Sequence, residues 1–475
     1  MLSFEEYVHH DALGLAALIR EGEVTAVEVV DAALARADAV DPAINALVAR
    51  RDDLARGQAT LPARQGIFDG VPFVFKDLFC WQEGWPAEAG SNLWKGFVAP
   101  VDFTHVRRVA ASGAIAVART TSSEYGLSIT TESAAHGPTR NPWSLDRSAG
   151  GSSGGTAAAV AAGIVPMGHG SDGGGSIRIP AANCGLFGLK PTRGRNPFGP
   201  FVGEGWAGLA TQHVLSRSVR DSAAMLDVTH GPELGEPYGC PPPAGPYLSE
   251  VGTDPGRLRV AFHRTGLGGT PLDPVNEVAV ADAVGLLEAL GHEVEEAHPQ
   301  VDLEALAPAM MTVVGANQKL SLDSRYAELG RWPEEGDVEP VTRAFADYGG
   351  RVTAADYAAA VQTFHALGRR FGAFFERYDV LVSTVLGQPP ARVGEIRTDT
   401  GDADAFLQDV WNRMPVTQFF NVTGCPAMSV PLHWCPSGLP IGIHIGAGFG
   451  REDVLFRLAG QLERVRPWFH RRPAL

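Results

Sequence analysis

The sequence predicts an α/β fold in which a β-sheet is layered against helices. Helical patterns alternate with short apolar segments along much of the 475-residue chain, and such alternation is typical of sheets covered by helices. One β-α-β unit is visible in order, with "LRVAFH", a helical pattern from Pro274 to Leu290, and "HEVEEA". The composition is consistent with a globular fold, because 45% of the residues are hydrophobic and 20% are charged. These fractions are ordinary for a globular protein with a large core.

The first sixty residues are predicted to be helical. "DALGLAALIREG" ends in a glycine stop, and "TAVEVVDAALARADAV" begins with a threonine N-cap and repeats apolar residues at helical spacing. "GVPFVFKDLF" then predicts a strand that runs into a loop, "THVRRVAASGA" a helix, and "IAVART" a strand. From Thr120 to Gly155 the many Ser, Thr, Gly and Asn-Pro signals predict loops.

The rest of the chain continues the alternation. "TAAAVAAG" predicts a helix of small residues that packs closely on its neighbours, "IVPMG" a short strand, and "SVRDSAAMLDV" a helix. A surface segment rich in Pro and Gly follows, and after the β-α-β unit helices continue to Phe375. The end of the chain predicts strands in "DVLVSTV", "AMSVPL" and "GLPIGIHIG", then a helix in "EDVLFRLAGQLERV". No break in composition divides the chain.

Charge and cysteine content disfavour several classes of partner. The net charge of -15 is spread along the chain, which argues against nucleic-acid binding. The five cysteines form no C-x-x-C pair and are expected to be reduced and mostly buried. The start of the chain shows no signal peptide, and the run "TAAAVAAGIVPMG" is too short to span a bilayer. We expect a cytoplasmic protein without membrane partners.

Two glycine-rich motifs lack the surroundings that their best-known functions need. "GHGSDG" (168–173) fits the dinucleotide-binding G-x-G-x-x-G, but Pro180 interrupts the helix that should follow, and no ribose-binding carboxylate occurs before Glu204. "GSSGG" (151–155) fits the G-x-S-x-G nucleophile elbow with Ser153 at its centre, but the stretch before it is polar. A nucleotide-binding protein and a hydrolase elbow are therefore weak alternatives.

Lys76 follows an apolar strand, although lysine is rarely buried without a partner. Two interpretations are open. The side chain reaches solvent or pairs with Asp77, or it is desolvated. Burial lowers the pKa of an ammonium group, so that a neutral amine could accept a proton at pH 7 and activate a serine. The 14 histidines show no metal-ligand spacing, so we expect no metal site.

Three segments together resemble the amidase signature family: "FVFKDLF", "GGSSGG" and "DGGGSIRIPA". The likeness extends from "RNPWSLDRSAGGSSGGTAAAVAAG" through "MGHGSDGGGSIRIPAANCGLFGLKPTRGR" to "GLPIGIHIGAGFGREDVLFRLAGQLE", and so covers essentially the whole chain. Within the family, "LKPTRGR" and the closing segment look most like the subgroup of 6-aminohexanoate cyclic dimer hydrolases.

The resemblance implies the amidase signature fold: a large mixed, mostly parallel β-sheet with helices on both faces, in a single domain over 1–475. Residues 1–65 would form N-terminal helices, 66–200 the core with the catalytic residues, and 201–475 the remaining sheet and the pocket helices. It also implies a homodimeric amidase that needs no cofactor and acts on a small-molecule amide.

The resemblance further implies a catalytic triad of Lys76, Ser152 and Ser176. Ser176 would attack the amide carbonyl and form an acyl-enzyme. Ser152 would relay a proton between the other two residues, because a hydroxyl both donates and accepts a hydrogen bond. The family holds this relay serine through a cis peptide, here Gly151–Ser152. Lys76 would be the base in its neutral form.

Gly173, Gly174 and Gly175 are expected to form the oxyanion hole, because glycine lets the backbone turn its N–H groups toward the developing charge. Gly173 stands where many family members carry Thr or Ile. This departure is expected to loosen the oxyanion loop or to widen the pocket.

Other residues are expected to support the triad or to bind substrate. Ser153 would support the loop of the relay serine. Asp172 and Arg178 would either hold the shape of the nucleophile loop or form a simple structural ion pair, and both interpretations are open. Thr130 and Thr131, in "SITTE", are predicted to bind substrate in a pocket wall that includes part of "DVWNRMPVTQFF".

A second role within the family is glutamine hydrolysis as one component of a tRNA-dependent amidotransferase. That role requires partner subunits, so amidase activity of the isolated protein would count against it.

Overall fold

The structure is a computed structural model that describes residues 2–62 and 65–475. Within these ranges an 11-stranded sheet crosses the molecule, and two small two-stranded sheets accompany it. The strands are β1 (Leu47–Arg50), β2 (Pro72–Lys76), β3 (Ile115–Thr120), β4 (Glu132–Ser133), β5 (Gly137–Pro138), β6 (Arg140–Asn141), β7 (Ser144–Ser148), β8 (Met167–Asp172), β9 (Phe187–Lys190), β10 (Thr211–Ser216), β11 (Arg259–Phe262), β12 (Glu293–Glu296), β13 (Val380–Thr384), β14 (Ala427–Trp434) and β15 (Pro440–Ala447).

Helices connect most of these strands. They are α1 (Phe4–Val8), α2 (Ala12–Glu21), α3 (Ala26–Ile44), α4 (Asp52–Ala59), α5 (Thr104–Ala111), α6 (Gly154–Ala161), α7 (Arg178–Cys184), α8 (Val219–Thr229), α9 (Tyr247–Glu250), α10 (Pro274–Ala289), α11 (Leu303–Leu329), α12 (Pro340–Gly349), α13 (Ala354–Phe375), α14 (Ala403–Arg413), α15 (Thr417–Thr423) and α16 (Glu452–Val465). The predicted helix signals are confirmed where they were most specific, since Thr25 caps α3 and Gly22 ends α2 in a left-handed conformation.

The large sheet has the strand order β1-β3-β2-β8-β10-β9-β14-β15-β13-β11-β12. Strand β2 lies parallel to β3 and β8, and β11 lies parallel to β12 and β13. Antiparallel ladders join these two parallel parts from β8 to β13, and β1 adds an antiparallel edge. The predicted mixed sheet is confirmed. Its parallel pairing is confined to these two parts, and antiparallel ladders outnumber parallel ones among the described strands.

Helices cover both faces of the sheet, as predicted. Along β13, Val380 and Val382 pack in the hydrophobic cluster that includes residues of α10 and α16, whereas Leu381 between them packs with α11, α13 and α15. Successive side chains of a strand point to opposite faces, so these two clusters lie on opposite sides of the sheet.

The strand expected in "IVPMG" begins later than predicted, at Met167, and runs to Asp172. Pro166 explains the shift, because proline has no N–H to donate to a strand ladder. Strands β1, β9 and β10 were not predicted from the sequence. The later start places Ser171 and Asp172 at the end of β8, beside the end of its parallel neighbour β2.

The expected state of the cysteines is confirmed in the described part of the chain, where they are free and, except for the half-buried Cys240, buried. No helix within 2–62 or 65–475 has both the length and the apolarity needed to cross a bilayer.

Candidate active site

Lys76 ends the fully buried strand β2. Its side chain is inaccessible to solvent, and its Nζ atom lies 2.6 Å from Ser152 Oγ and 2.9 Å from Ser171 Oγ. Burial lowers the pKa of Lys76 to about 7, while the negative charge of Asp172 opposes the shift. Asp77 pairs instead with Arg119, at 3.3 Å. The desolvated interpretation of Lys76 therefore fits the structure, and the pairing with Asp77 does not.

The Gly151–Ser152 peptide bond is cis, and Thr131 forms hydrogen bonds to the backbone of the loop that contains it. Thr131 Oγ1 lies 2.9 Å from the Gly150 carbonyl oxygen and 3.3 Å from that of Ser152, and it accepts a hydrogen bond from the Gly154 N–H at 3.0 Å. These contacts fix the backbone on both sides of Ser152, and so position its hydroxyl against the amine of Lys76.

Ser153 connects this loop to the two other parts of the site. Its Oγ donates to the Ser171 carbonyl oxygen at 3.2 Å and accepts from the Ser171 N–H at 3.3 Å. Its own N–H donates to the Ser176 carbonyl oxygen at 3.3 Å. These contacts favour the supporting role of Ser153, which stays a prediction.

Residues 173–176 form the loop of the predicted nucleophile, which is called the nucleophile loop below. Ser176 follows the three glycines of this loop and is half-buried. Thr417 Oγ1 donates to the Gly174 carbonyl oxygen and the Ile179 N–H donates to that of Gly175, each at 2.7 Å. A trans peptide directs its C=O and N–H groups to opposite sides, so the N–H groups of Gly175 and Ser176 are turned away from these anchors. Gly175 has a φ of 142°, a conformation that glycine adopts readily.

A buried ion pair lies beneath this loop. Arg178 Nη2 lies 2.9 Å from Asp172 Oδ1, and both side chains are inaccessible to solvent. Asn421 Nδ2 donates to the same carboxylate at 2.8 Å, and the Ile177 N–H donates to Asp172 Oδ2 at 3.1 Å. Burial alone would raise the pKa of Asp172, but Arg178 and Asn421 outweigh burial and hold the pKa of this carboxyl well below its usual range. Because Asp172 also accepts a hydrogen bond from Ile177, the ion pair holds the nucleophile loop as well as the core. This favours the first of the two interpretations that the sequence left open, in which Asp172 and Arg178 hold the shape of the loop.

Replacing Asp172 by asparagine is expected to lower the free energy of unfolding by about 3–5 kcal/mol, because the buried charge of Arg178 loses its partner. Urea unfolding followed by circular dichroism measures this loss. Asp146→Asn is the matched control, since Asp146 is half exposed and lies 3.1 Å from Arg392. An exposed pair contributes about 1 kcal/mol at most, and equal losses in the two variants would contradict the structural importance of Asp172.

A cavity of about 390 Å³ opens over the serines, and Ser152, Ser171 and Ser176 all line it. Most of its wall is apolar, and Val202 and Leu320 at the wall are exposed to solvent. The aromatic residues of the wall are Phe79, Trp81, Trp94, Phe103, Tyr125, Phe198, Phe201 and Trp206. The wall therefore brings together the loop after β2, the segment before β10 and one face of α11.

Both arginines of this wall already have partners among the described residues. Arg119 pairs with the buried Asp77. Arg325 lies 2.9 Å from Glu328, and its guanidinium group stacks over the ring of Trp94 at 4.3 Å. The charges of both arginines are therefore at least partly balanced by neighbouring carboxylates. The cavity consequently offers a ligand a largely apolar surface.

The expected contact of Thr130 and Thr131 with substrate gains no support from the cavity. Both side chains are buried, Thr131 holds the loop around Ser152, and neither residue is among those that line the cavity. The segment 409–420 is also absent from the described lining, and its Thr417 holds the nucleophile loop instead. Small polar side chains in a loop can form hydrogen bonds to backbone groups as readily as to a ligand. This explains why the predicted substrate contacts differ from the observed lining.

Sequence reasoning did not identify Ser171 or the aromatic wall. Ser171 could have been found, because it precedes the three glycines closely and ends a strand next to that of Lys76. The contribution of α11 had no local signal, since its cavity-lining residues Gln318, Ser321 and Ser324 are ordinary on a helix surface.

In the part of the chain that the structure describes, no group of three or more His, Cys, Asp and Glu side chains could hold a metal ion. The absence of a metal or cofactor requirement stays a prediction.

Known proteins resemble this chain along most of its length. The family model described as Amidase matches residues 28–456. The 6-aminohexanoate-cyclic-dimer hydrolase of Paenarthrobacter ureafaciens is 37% identical over 477 residues, which cover 98% of this chain and 96% of that protein.

Solved structures give the same result. A structure of 6-aminohexanoate cyclic dimer hydrolase superposes with a TM-score of 0.93 at 37% identity, covering 98% of this chain and 99% of the other. A component of the glutamyl-tRNA(Gln) amidotransferase of Thermotoga maritima is more distant, with a TM-score of 0.74 at 24% identity over 98% of this chain and 95% of that one, and shares the fold.

The predicted family and general activity are thus confirmed by similarity along nearly the whole chain. The chain belongs to the amidase signature family and is an enzyme that hydrolyses the C–N bond of amides.

Proposed function

We propose that this enzyme hydrolyses an uncharged, largely apolar carboxylic amide, with Ser176 as nucleophile, Ser152 as proton relay and Lys76 as base. One observation carries the proposal. The buried amine of Lys76 lies 2.6 Å from the hydroxyl of Ser152, directly under a cavity that Ser176 also lines. A desolvated amine with a pKa near neutrality can accept a proton that a solvated lysine, already protonated, cannot.

The proposed reaction has the following steps. Ser176 Oγ attacks the carbonyl carbon, its proton passes to Ser152, and the proton of Ser152 passes to the neutral Lys76. The tetrahedral intermediate collapses, the C–N bond breaks, and the leaving nitrogen takes a proton returned by the same route. Water then attacks the acyl ester, releases the carboxylic acid and restores Ser176.

The negative charge on the intermediate requires nearby donors. The backbone N–H groups of the nucleophile loop, from Gly173 to Ser176, are the proposed oxyanion hole. Hydrogen bonds of Thr417 and Ile179 to the loop carbonyls support this role, because they hold the loop in place before the reaction. One such donor contributes about 2.7–4 kcal/mol in a measured protease case.

The proposed substrate class rests on the wall of the cavity and on the names of the relatives. The wall is aromatic, and both of its arginines are paired. Two similar proteins are named for hydrolysis of the cyclic dimer of 6-aminohexanoate, and a ring closed by amide bonds has neither a free carboxylate nor a free amine. We therefore propose a cyclic or linear amide that is uncharged next to the scissile bond.

Detection of the acyl-enzyme tests this mechanism. The protein is mixed with an apolar acyl p-nitroanilide, quenched in acid within milliseconds to seconds, and weighed intact by mass spectrometry. We expect the mass to rise by that of one acyl group, and peptide mapping to locate the group on Ser176. An acyl group mapped to Ser153 instead would overturn the assignment and favour the G-x-S-x-G interpretation.

We also propose that the enzyme is a cytoplasmic homodimer that works without amidotransferase partner subunits. The family resemblance and the acidic net charge of -15 support this proposal. Light scattering after size exclusion measures the oligomeric state. Glutamine hydrolysis that appears only with tRNA and added partner subunits would favour the amidotransferase role instead.

A further inference from the structure

The glycine at position 173 is explained by a neighbouring tryptophan rather than by its own backbone. Gly173 is not among the residues of positive φ, so other amino acids could adopt its conformation. A Cβ atom at this position, however, would lie 2.8 Å from Trp206 Cζ3 and 2.9 Å from Trp206 Cε3. Non-bonded carbon atoms prefer separations of about 3.5–4.0 Å. The indole ring thus occupies the volume that a side chain at position 173 would need.

The next glycine shows that this arrangement is specific. A Cβ atom on Gly174 would meet only Met414 Cε, at 3.9 Å, which is an ordinary contact. The expectation that Gly173 widens the pocket is therefore not met, and the expectation that it loosens the loop stays a prediction. The space freed by the missing side chain is filled by Trp206, which lines the cavity together with Gly173 and Ser176.

The segment that carries Trp206 is held by the same residue as the nucleophile loop. The Leu209 N–H donates to the Trp206 carbonyl oxygen at 3.2 Å and closes a turn. Asn421 Nδ2 lies 3.1 Å from the Leu209 carbonyl oxygen and 2.9 Å from that of Asp172. One amide group thus connects the turn that carries the indole to the strand end before the glycines.

We propose that Trp206 is a specificity-determining residue that forms the wall of the acyl subsite and limits the bulk of the acyl group. This inference rests on the proposed function. If the substrate oxygen binds the N–H groups of the nucleophile loop, the groups on the same carbon begin beside that loop, where the indole covers Gly173. The proposal places the acyl chain, rather than the amine, on this side. The acyl chain also stays on the enzyme after the amine has left. A flat ring at this point admits straight chains and excludes groups branched next to the carbonyl.

Two substrate series separate the acyl side from the amine side. The first is a set of p-nitroanilides of acetic, butanoic, hexanoic, 2-methylpropanoic and 2,2-dimethylpropanoic acids, and the second is a set of butanoyl amides of different amines. In Trp206→Ala we expect the ratio of kcat/KM for the branched acyl groups to that for butanoyl to rise at least about tenfold over the parent enzyme, a range typical of small changes in pocket volume. Ratios within the amine series should stay unchanged. Unchanged acyl ratios, or a shift only in the amine series, would overturn the proposal.

A double substitution tests the contact between Trp206 and Gly173. Gly173→Ala is expected to lower kcat/KM for every acyl group, because its Cβ meets the indole. Gly173→Ala combined with Trp206→Ala should recover activity relative to Gly173→Ala alone, because the ring is gone. If the double variant recovers nothing, the indole is not what requires glycine at this position, and the proposal fails.

Two further variants keep the test decisive. Trp206→Phe preserves an aromatic wall of smaller size and replaces Trp206→Ala in the test if that variant does not fold. It should shift the acyl ratios in the same direction by a smaller factor. Trp332→Ala is the matched control, because Trp332 is 88% exposed and should keep the parent ratios. If the parent enzyme hydrolyses none of the anilides and forms no acyl adduct, the proposed function fails. If it hydrolyses them and the ratios do not change, only the role of Trp206 fails.

Discussion

Replacing Ser176 by alanine is expected to lower kcat by at least about 10⁴-fold, because in enzymes that use a serine nucleophile the catalytic residues act as a unit. Ser176 is half-buried at the cavity, and removal of its hydroxyl oxygen leaves the wall unchanged. Substrate binding should therefore persist. The measurements are steady-state hydrolysis of an anilide and calorimetric titration of the variant with the same compound.

Ser153→Ala is the matched control for this prediction, since Ser153 lies in the neighbouring loop and forms hydrogen bonds to Ser171. We expect a smaller loss there than in Ser176→Ala, together with an acyl adduct on Ser176. Substantial activity in Ser176→Ala would contradict the assignment of the nucleophile, and a complete loss confined to Ser153→Ala would place the nucleophile at Ser153.

Lys76→Ala is expected to lower kcat by about 10²- to 10⁴-fold, the usual contribution of a general base. The pH dependence provides the sharper test. Burial lowers the pKa of Lys76 to about 7, and only the neutral amine can accept a proton. For the parent enzyme, kcat/KM should therefore fall about tenfold per pH unit below pH 7 and level off above it. The residual activity of Lys76→Ala should lack this midpoint.

A second buried lysine provides the control. Burial also lowers the pKa of Lys190 to about 7, but its Nζ donates to the Pro191 carbonyl oxygen at 2.8 Å and the residue does not line the cavity. Lys190→Met should keep the midpoint near pH 7, whatever its effect on stability. Loss of the midpoint in Lys190→Met, with its retention in Lys76→Ala, would contradict the assignment of the titration to Lys76.

Much of the fold followed from the sequence, because the signals were local. Periodic apolar residues and caps predicted α2, α3, α10 and α16 at their observed places, since capping and amphipathic packing depend on residues a few positions apart. Strands β9 and β10 were not predicted. They are short, fully buried strands, and periodicity alone does not distinguish such strands from other buried segments.

The positions of the proposed triad were also readable, because the motifs around Lys76, Ser152 and Ser176 are specific to one family. The residues that surround the substrate were not. Thr130 and Thr131 were placed in the wall from their position before the motif, yet Thr131 holds the backbone around Ser152. The same small hydroxyl side chain can bind a ligand or a neighbouring carbonyl, and only the fold decides which of the two lies within hydrogen-bonding distance.

The sequence by itself determined the family and the α/β class, and it predicted the lysine and the serines of the site, since each depends on residue identity at fixed spacing. Only the tertiary structure decided that Lys76 is desolvated, because the solvent exposure of a side chain depends on every element packed around it. The structure also decided what lies beside residue 173. Trp206 lies 33 positions further along the chain, and its ring fills the space that a side chain at position 173 would need, a contact that exists only once both loops have been brought together over the serines.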